Sequence, residues 1–184
     1  SYDNCHVPWG STHEKTWHLV KTLPHVSGLF VWTGFDYLGE PTPYWWPSRS
    51  SFFGIVDLAG FPKDVYYMYK SEWTDEPVLH IFPHWNWKVG EPVDIWAYYN
   101  NADEVELYLN GKSLGVQQKT DSTYHVSWRV PFTPGTLRAV SRLGGKEVLV
   151  KEIHTAGEPA RLVLTPDRSV IQADGSDLSF VTVD

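Results

Sequence analysis

The second half of this 184-residue chain is a succession of short strand-like runs: Val78 to Phe82, Pro92 to Tyr99, Glu104 to Leu109, Tyr124 to Val130, Gly135 to Ser141 and Val148 to His154. Turn signals such as Asn110-Gly111 and Gly144-Gly145 punctuate them. Strands at that pitch predict an antiparallel β-sandwich of immunoglobulin type. The segment Val93-Asp-Ile-Trp-Ala-Tyr98 alternates, which assigns one face to the core and the other to water. Alternation directs Ile95, Val105, Leu107, Trp128, Leu137 and Val150 inward, because a slip of one residue would turn the apolar set to solvent.

Ahead of Thr74-Asp-Glu-Pro77, a polar stretch with the character of a domain linker, the pattern changes. Trp17, Val20 and Leu23 share one helical face between Ser11 and Leu23, with Ser11 or Thr12 as N-cap, Glu14 in the first turn and Pro24 as the stop. Lys63 to Trp73 forms a second helix that packs through Tyr66, Tyr69 and Trp73. Between them, Leu29-Phe30-Val31 suits a strand buried on both faces, as in a parallel sheet. Helix, strand and helix in this order belong to alternating α/β architecture. One and a half such repeats cannot close a barrel that needs eight, so their apolar faces require other cover.

Polarity appears where that strand ends. Trp32, Asp36, Tyr37 and Glu40 emerge there, at the end of a barrel strand where ligand contacts belong. An indole offers a flat apolar face to the C–H side of a pyranose, while a carboxylate and a phenol hydrogen-bond its hydroxyls. Ten tryptophans and 15% aromatic residues fit carbohydrate recognition, although a core role is the commoner use of any one of them. A formal charge of -7 without a basic block argues against nucleic acid. No apolar run is long enough to span a bilayer, and no basic amphipathic helix is present to lie on one.

Cys5 is the single cysteine, which excludes an internal disulfide and a cysteine metal cluster. His6, His13, His18, His25, His80, His84 and His125 lack zinc-ligand spacing. There is no phosphate loop, dinucleotide fingerprint or nucleophile elbow, so neither a metal nor a cofactor is expected.

Gly28 to Tyr37, Gly39-Glu-Pro-Thr-Pro43, Trp46-Pro-Ser-Arg-Ser-Ser51, Phe53-Gly-Ile-Val-Asp57 and Gly60-Phe-Pro-Lys-Asp64 occur in one order. Together they resemble the last barrel strand, and the segment after it, of glycoside hydrolase family 2 enzymes of the bacterial beta-galactosidase type. Ala102 to Gly115 is similar to a hairpin in the immunoglobulin-like domain that follows the barrel in those enzymes. The resemblance implies a mixed fold. Residues 1–73 would be the C-terminal part of a (β/α)8 catalytic barrel, the TIM barrel, and 74–156 an all-β immunoglobulin-like sandwich. Residues 157–184 would open a further immunoglobulin-like module, with strands in Ala160 to Pro166 and Ala173 to Val183 that cannot enclose a core alone.

It further implies a bacterial parent enzyme, periplasmic or secreted, that cleaves terminal β-linked sugars with retention. The substrate would be a β-galactoside or a related β-glycoside, and a homo-oligomer is compatible with the pattern. Trp32 matches the tryptophan that the eighth strand contributes to the wall of the sugar subsite. The family's two catalytic glutamates lie on the fourth and seventh strands, which this chain would follow. No residue here is therefore expected to be catalytic, and the chain alone is expected to be inactive.

The expected substrate contacts are Trp32, Asp36, Tyr37, Glu40 and Trp46. Asp36 has an equal alternative as a buried acceptor of backbone amides or of Arg49, Tyr37 as a plug for the barrel end, and Glu40 as a structural rim residue. The adjacent Trp45 and Trp46 point to cover by sugar or by a neighbouring domain, whereas Phe52 and Phe53 read as packing. Glu14 offsets a helix dipole, and Glu72 is expected to be solvated. His84-Trp-Asn-Trp87 is either an accessory sugar site or a hairpin packed on the first segment. An alternative of a different class is a non-catalytic carbohydrate-binding or scaffold module built on the sandwich.

Overall fold

A computed structural model describes residues 2–184. A 3-10 turn, Tyr2–Asn4, precedes α1, His13–Thr22, whose first turn is capped by the Thr12 hydroxyl accepting from Lys15 N at 3.4 Å. Two short strands, β1 (Tyr37–Leu38) and β2 (Ser50–Ser51), pair antiparallel. α2, Asp64–Trp73, then leads into seven strands: β3 Leu79–Phe82, β4 Pro92–Tyr99, β5 Glu104–Leu109, β6 Lys112–Gln117, β7 Val126–Pro131, β8 Thr136–Leu143 and β9 Lys146–His154. They form two antiparallel sheets, β3-β4-β7 and β6-β5-β8-β9.

The inner faces meet in one apolar cluster that includes Ile95, Val105, Leu107, Trp128 and Leu137, all buried as alternation requires. Two indoles inside it keep their N–H groups satisfied: Trp85 donates to Thr133 O at 3.0 Å and Trp128 to Gly115 O at 3.1 Å. Val150 is a correction to the sequence expectation, being 40% exposed. The β8–β9 register shifts at Ser141/Arg142, and Val150 lies opposite Val140 while Leu149 and Ile153 pack on the core.

The second face of β4 is the larger departure. Alternation leaves Trp96 and Tyr98 wet, yet they are 8% and 0% exposed. Val65, Met68 and Tyr69 of α2 pack against them together with Phe82 and Tyr124. β4 is therefore buried on both sides, and the apolar face of α2 is Val65, Met68 and Tyr69 instead of Tyr66, Tyr69 and Trp73. The helix turned because its partner is an aromatic sheet face, against which Met68 and Tyr69 fit while Trp73 stays 48% exposed.

α1 is tied to the same junction by polar groups. Glu72, expected in solvent, is instead enclosed: it accepts from Trp17 Nε1 at 3.0 Å and Lys21 Nζ at 2.9 Å, with Lys119 Nζ at 3.6 Å. Burial works against its charge, but those donors hold its carboxyl below the usual range. Glu14, at the start of α1, also meets His125 Nδ1 at 2.6 Å, and that imidazole stacks on Trp96 with ring centroids 3.6 Å apart. His13 pairs with Tyr69 OH at 2.9 Å, His18 with Tyr124 OH at 3.2 Å and His80 with Asp64 at 2.8 Å. Histidines scattered in sequence thus gather at one junction.

The expected strand at Leu29–Val31 does not form, and Phe30 is fully exposed. Parallel pairing begins two residues later. Thr33 N donates to Phe53 O at 3.1 Å, Ile55 N to Thr33 O at 3.0 Å and Asp36 N to Val56 O at 2.9 Å, with a parallel bridge between Phe35 and Val56. Backbone groups of 28–31 meet no second strand within the described residues, so the apolar run alone does not make a ladder. Closer to the C-terminus, β10 (Leu164–Pro166) and β11 (Val181–Val183) pair antiparallel with every residue exposed, as two strands without a core must be.

Candidate functional site

The short parallel ladder carries the residues singled out for sugar contact. Its closest approach requires glycine: a Cβ on Gly54 would lie 2.1 Å from Asp36 N. Gly54 N donates to Asp36 Oδ1 at 2.8 Å, and Lys63 Nζ reaches the same oxygen at 2.8 Å while also donating to Phe52 O at 3.1 Å. The Asp36 side chain is 4% exposed. It is a paired, buried acceptor, and its cation is Lys63, not Arg49.

Three of the other proposed contacts form a chain of hydrogen bonds. Trp32 Nε1 donates to Tyr37 OH at 3.3 Å, and Tyr37 OH donates to Glu40 Oε2. The rings of Trp32 and Tyr37 meet edge to face, 6.3 Å apart. The Trp32–Thr33 peptide bond is cis. Trp32 is 70% exposed. The group therefore presents an indole face, a phenol and a carboxylate oxygen to solvent in one place, a set able to stack on a ring and share protons with its hydroxyls. Among the described residues no Lys, Arg or His pairs with Glu40 within salt-bridge distance.

Trp46 stands apart from that chain, in the loop between β1 and β2. The Arg49 guanidinium lies over its ring, 5.0 Å from the centroid. Gly39 N donates to Arg49 O at 2.8 Å, closing the neck of the loop. Phe52 is 51% exposed and meets Tyr44 edge to face at 5.3 Å, so it is not simple packing. The His84 to Trp87 turn divides its roles. Trp85 is a core residue, while Trp87 stacks on His84 at 4.9 Å and donates to its carbonyl at 2.8 Å.

Lys63 and Ser48 are the residues that the sequence reading passed over. Lys63 was legible only as the start of a helix, 27 positions from its carboxylate. Among the described residues no group of three His, Cys, Asp or Glu side chains forms a metal site, and no helix is long and apolar enough to cross a membrane.

Residues 90–149 match the model of a domain of unknown function, DUF4982. A beta-galactosidase of Bacteroides ovatus is 65% identical over all 184 residues, which make up 22% of that protein. A beta-glucuronidase of Formosa agariphila is 32% identical over 136 residues, 71% of this chain and 14% of the relative. The crystal structure of a glycosyl hydrolase family 2 member from Bacteroides cellulosilyticus superposes with a TM-score of 0.78 at 33% identity, covering 92% of this chain and 27% of that one. The chain thus spans about a fifth of the length of the curated relatives it matches.

Proposed function

Since the chain belongs to glycoside hydrolase family 2, we propose that it is part of a retaining β-glycosidase of the beta-galactosidase type and contributes one wall of the sugar subsite. The observation that carries this is the Trp32–Tyr37–Glu40 chain, an exposed indole joined through a phenol to a carboxylate. Trp32 stacks on the apolar face of the terminal sugar. Tyr37 and the free oxygen of Glu40 take its hydroxyls, Trp46 borders the site, and Asp36 braces the wall from below.

Residues 1–73 act as the closing part of the catalytic barrel, 74–156 as its immunoglobulin-like support and 157–184 as the start of a further module. Retaining hydrolysis needs an acid and a nucleophile carboxylate roughly 5 Å apart across the scissile bond. Within this chain Asp36 is spent on Lys63, Glu72 on Trp17 and Lys21, and Glu14 on His125. The two catalytic carboxylates are those that the family resemblance puts on barrel strands outside this chain.

The relatives' names include both galactosidases and glucuronidases, so the deciding experiment is turnover of a panel of chromogenic β-glycosides by the full-length protein. β-Galactoside cleavage with retained anomeric configuration is the expected result. Cleavage of β-glucuronide alone would replace the substrate, and absence of any turnover would remove the enzyme reading.

A further inference from the structure

Lys63 and Asp64, adjacent at the head of α2, are held by different parts of the molecule. Lys63 Nζ donates to Asp36 Oδ1 at 2.8 Å and to Phe52 O at 3.1 Å, and its backbone N donates to Ile55 O at 2.9 Å. Asp64 Oδ1 instead accepts from His80 Nε2 of β3 at 2.8 Å. Tyr67, one turn further along α2, stacks on that same imidazole with ring centroids 3.8 Å apart. Val65, Met68 and Tyr69 continue the contact onto Phe82, Trp96 and Tyr98. The start of α2 is thus fastened to the sandwich on one side and to the first segment on the other.

What Lys63 grips is the ladder between the proposed sugar contacts. Residues 33–36 are bonded to 53–56 through Thr33 N to Phe53 O, Ile55 N to Thr33 O, Val56 N to Gly34 O and Asp36 N to Val56 O, all between 2.9 and 3.1 Å. Val56 bridges in turn to Pro62. Trp32 directly precedes the bonded stretch and Tyr37 directly follows it. There is no slack at Gly54, where even a Cβ would lie 2.1 Å from Asp36 N. Close-packed contacts of this kind pass a displacement on instead of absorbing it. Trp32 is exposed, so its ring is placed chiefly by the backbone beside it.

We propose that the immunoglobulin-like sandwich positions the sugar wall through the head of α2, with His80 and Lys63 as positioning residues at the two ends of the link. His80 acts through Asp64, and Lys63 through Asp36. The proposal rests on the function proposed above, because the wall has a use only if a sugar lies on it. A shift of a fraction of an ångström at Trp32 and Tyr37 is enough to lower the rate, since productive geometry is narrow.

The test uses the full-length protein. His80→Phe keeps an aromatic ring between Tyr67 and Phe82 but cannot pair with Asp64. It is compared with Lys63→Met, Lys63→Arg and the pair Lys63→Met/Asp36→Asn. Each variant is followed by hydrogen exchange of the peptide 32–38, by kcat/KM for an aryl β-galactoside per folded enzyme, and by urea unfolding. His80→Phe is expected to speed exchange in 32–38 at least about threefold, with β5 and β8 exchanging as in the wild type, and to lower kcat/KM by about threefold to tenfold. Adding it to Lys63→Met should deepen the kinetic loss little, because the link is already cut. Lys63→Met/Asp36→Asn should regain stability without regaining kcat/KM, whereas Lys63→Arg, which keeps donors for Asp36 and Phe52, should retain both. Unchanged exchange in 32–38 on His80→Phe would overturn the proposal, as would kinetic losses that simply follow stability through the whole set. If the protein turns over no β-glycoside but His80→Phe still loosens 32–38, the link stands and the enzymatic reading falls.

Discussion

Asp36 and Glu40 lie four residues apart in opposite surroundings. Asp36 is sealed under the ladder with a backbone amide and the Lys63 ammonium on one oxygen; Glu40 faces solvent with only a phenol attached. Removing the cation strands a buried charge, so Lys63→Met should destabilise the fold by about 3 kcal/mol, measured by urea unfolding. Pairing it with Asp36→Asn should recover most of that loss. Trp32 behaves differently because it is exposed. Trp32→Ala in the full-length enzyme should reduce kcat/KM about tenfold, equivalent to about 1.4 kcal/mol, with the melting temperature nearly unchanged. A large drop in melting temperature with normal kinetics in the remaining folded protein would show Trp32 to be a core residue. The closeness of Trp32, Tyr37 and Glu40 was legible because they sit within nine residues. The Asp36 partner was not, since a lysine at the head of a helix carries no mark of the carboxylate it will meet.

Among the elements, α2 and β4 hold the first segment and the sandwich together. The alternation of Val93 to Tyr98 located the inner face correctly, but Trp96 and Tyr98 on the other phase were the overlooked signal: two large aromatics on a nominally wet face announce a covering layer. The strand boundaries of β4, β5, β7, β8 and β9 were close to legible because turn residues bracket them, whereas β6 entered only as part of the hairpin at 102–115. The ladder at 33–36 was misplaced because burial on both faces depends on neighbours outside the run. The junction also has a pH dependence. Burial, aided by Glu14 and Asp64, pushes the Asp3 carboxyl up to about 6 from its ordinary 3.8 despite the hydrogen bond from Tyr98 OH at 2.6 Å. A folded-state value above the unfolded one means that the stabilising contribution is complete below about pH 3.8 and is lost as pH rises through about 6. Unfolding free energy should therefore fall between pH 4 and 7 by of order 2 kcal/mol more in the wild type than in Asp3→Asn. Parallel pH profiles for the two proteins would remove Asp3 from that role.

The molecule as a whole joins a well-packed sandwich to a first segment rich in exposed aromatics, including Phe30, Trp32, Phe35, Trp45 and Phe61. With Asp36, Glu72 and Glu14 committed to lysine, indole and imidazole partners and Glu40 without a second carboxylate assigned to work with it, the 184-residue chain alone should hydrolyse no aryl β-glycoside above background. Turnover by the purified chain that Glu40→Gln abolishes would instead give Glu40 a catalytic role. The sandwich was the legible part because most of its strands satisfy their pattern locally, β4 and β9 being the exceptions. The first segment was legible mainly through family motifs, since an apolar run such as Leu29–Val31 meets no second strand among the described residues.

Double-sided burial of β4 also bears on inheritance. The polar stretch at 74–77 looks like a seam at which genes could be cut and rejoined, but a sandwich severed there would carry Phe82, Trp96 and Tyr98 bare on an open sheet face. Exposed sheet surface of that kind invites sticking to other chains. The unit that evolution could move intact begins at α2, upstream of the apparent seam, so the helix and the strands are expected to be gained, lost and transplanted together.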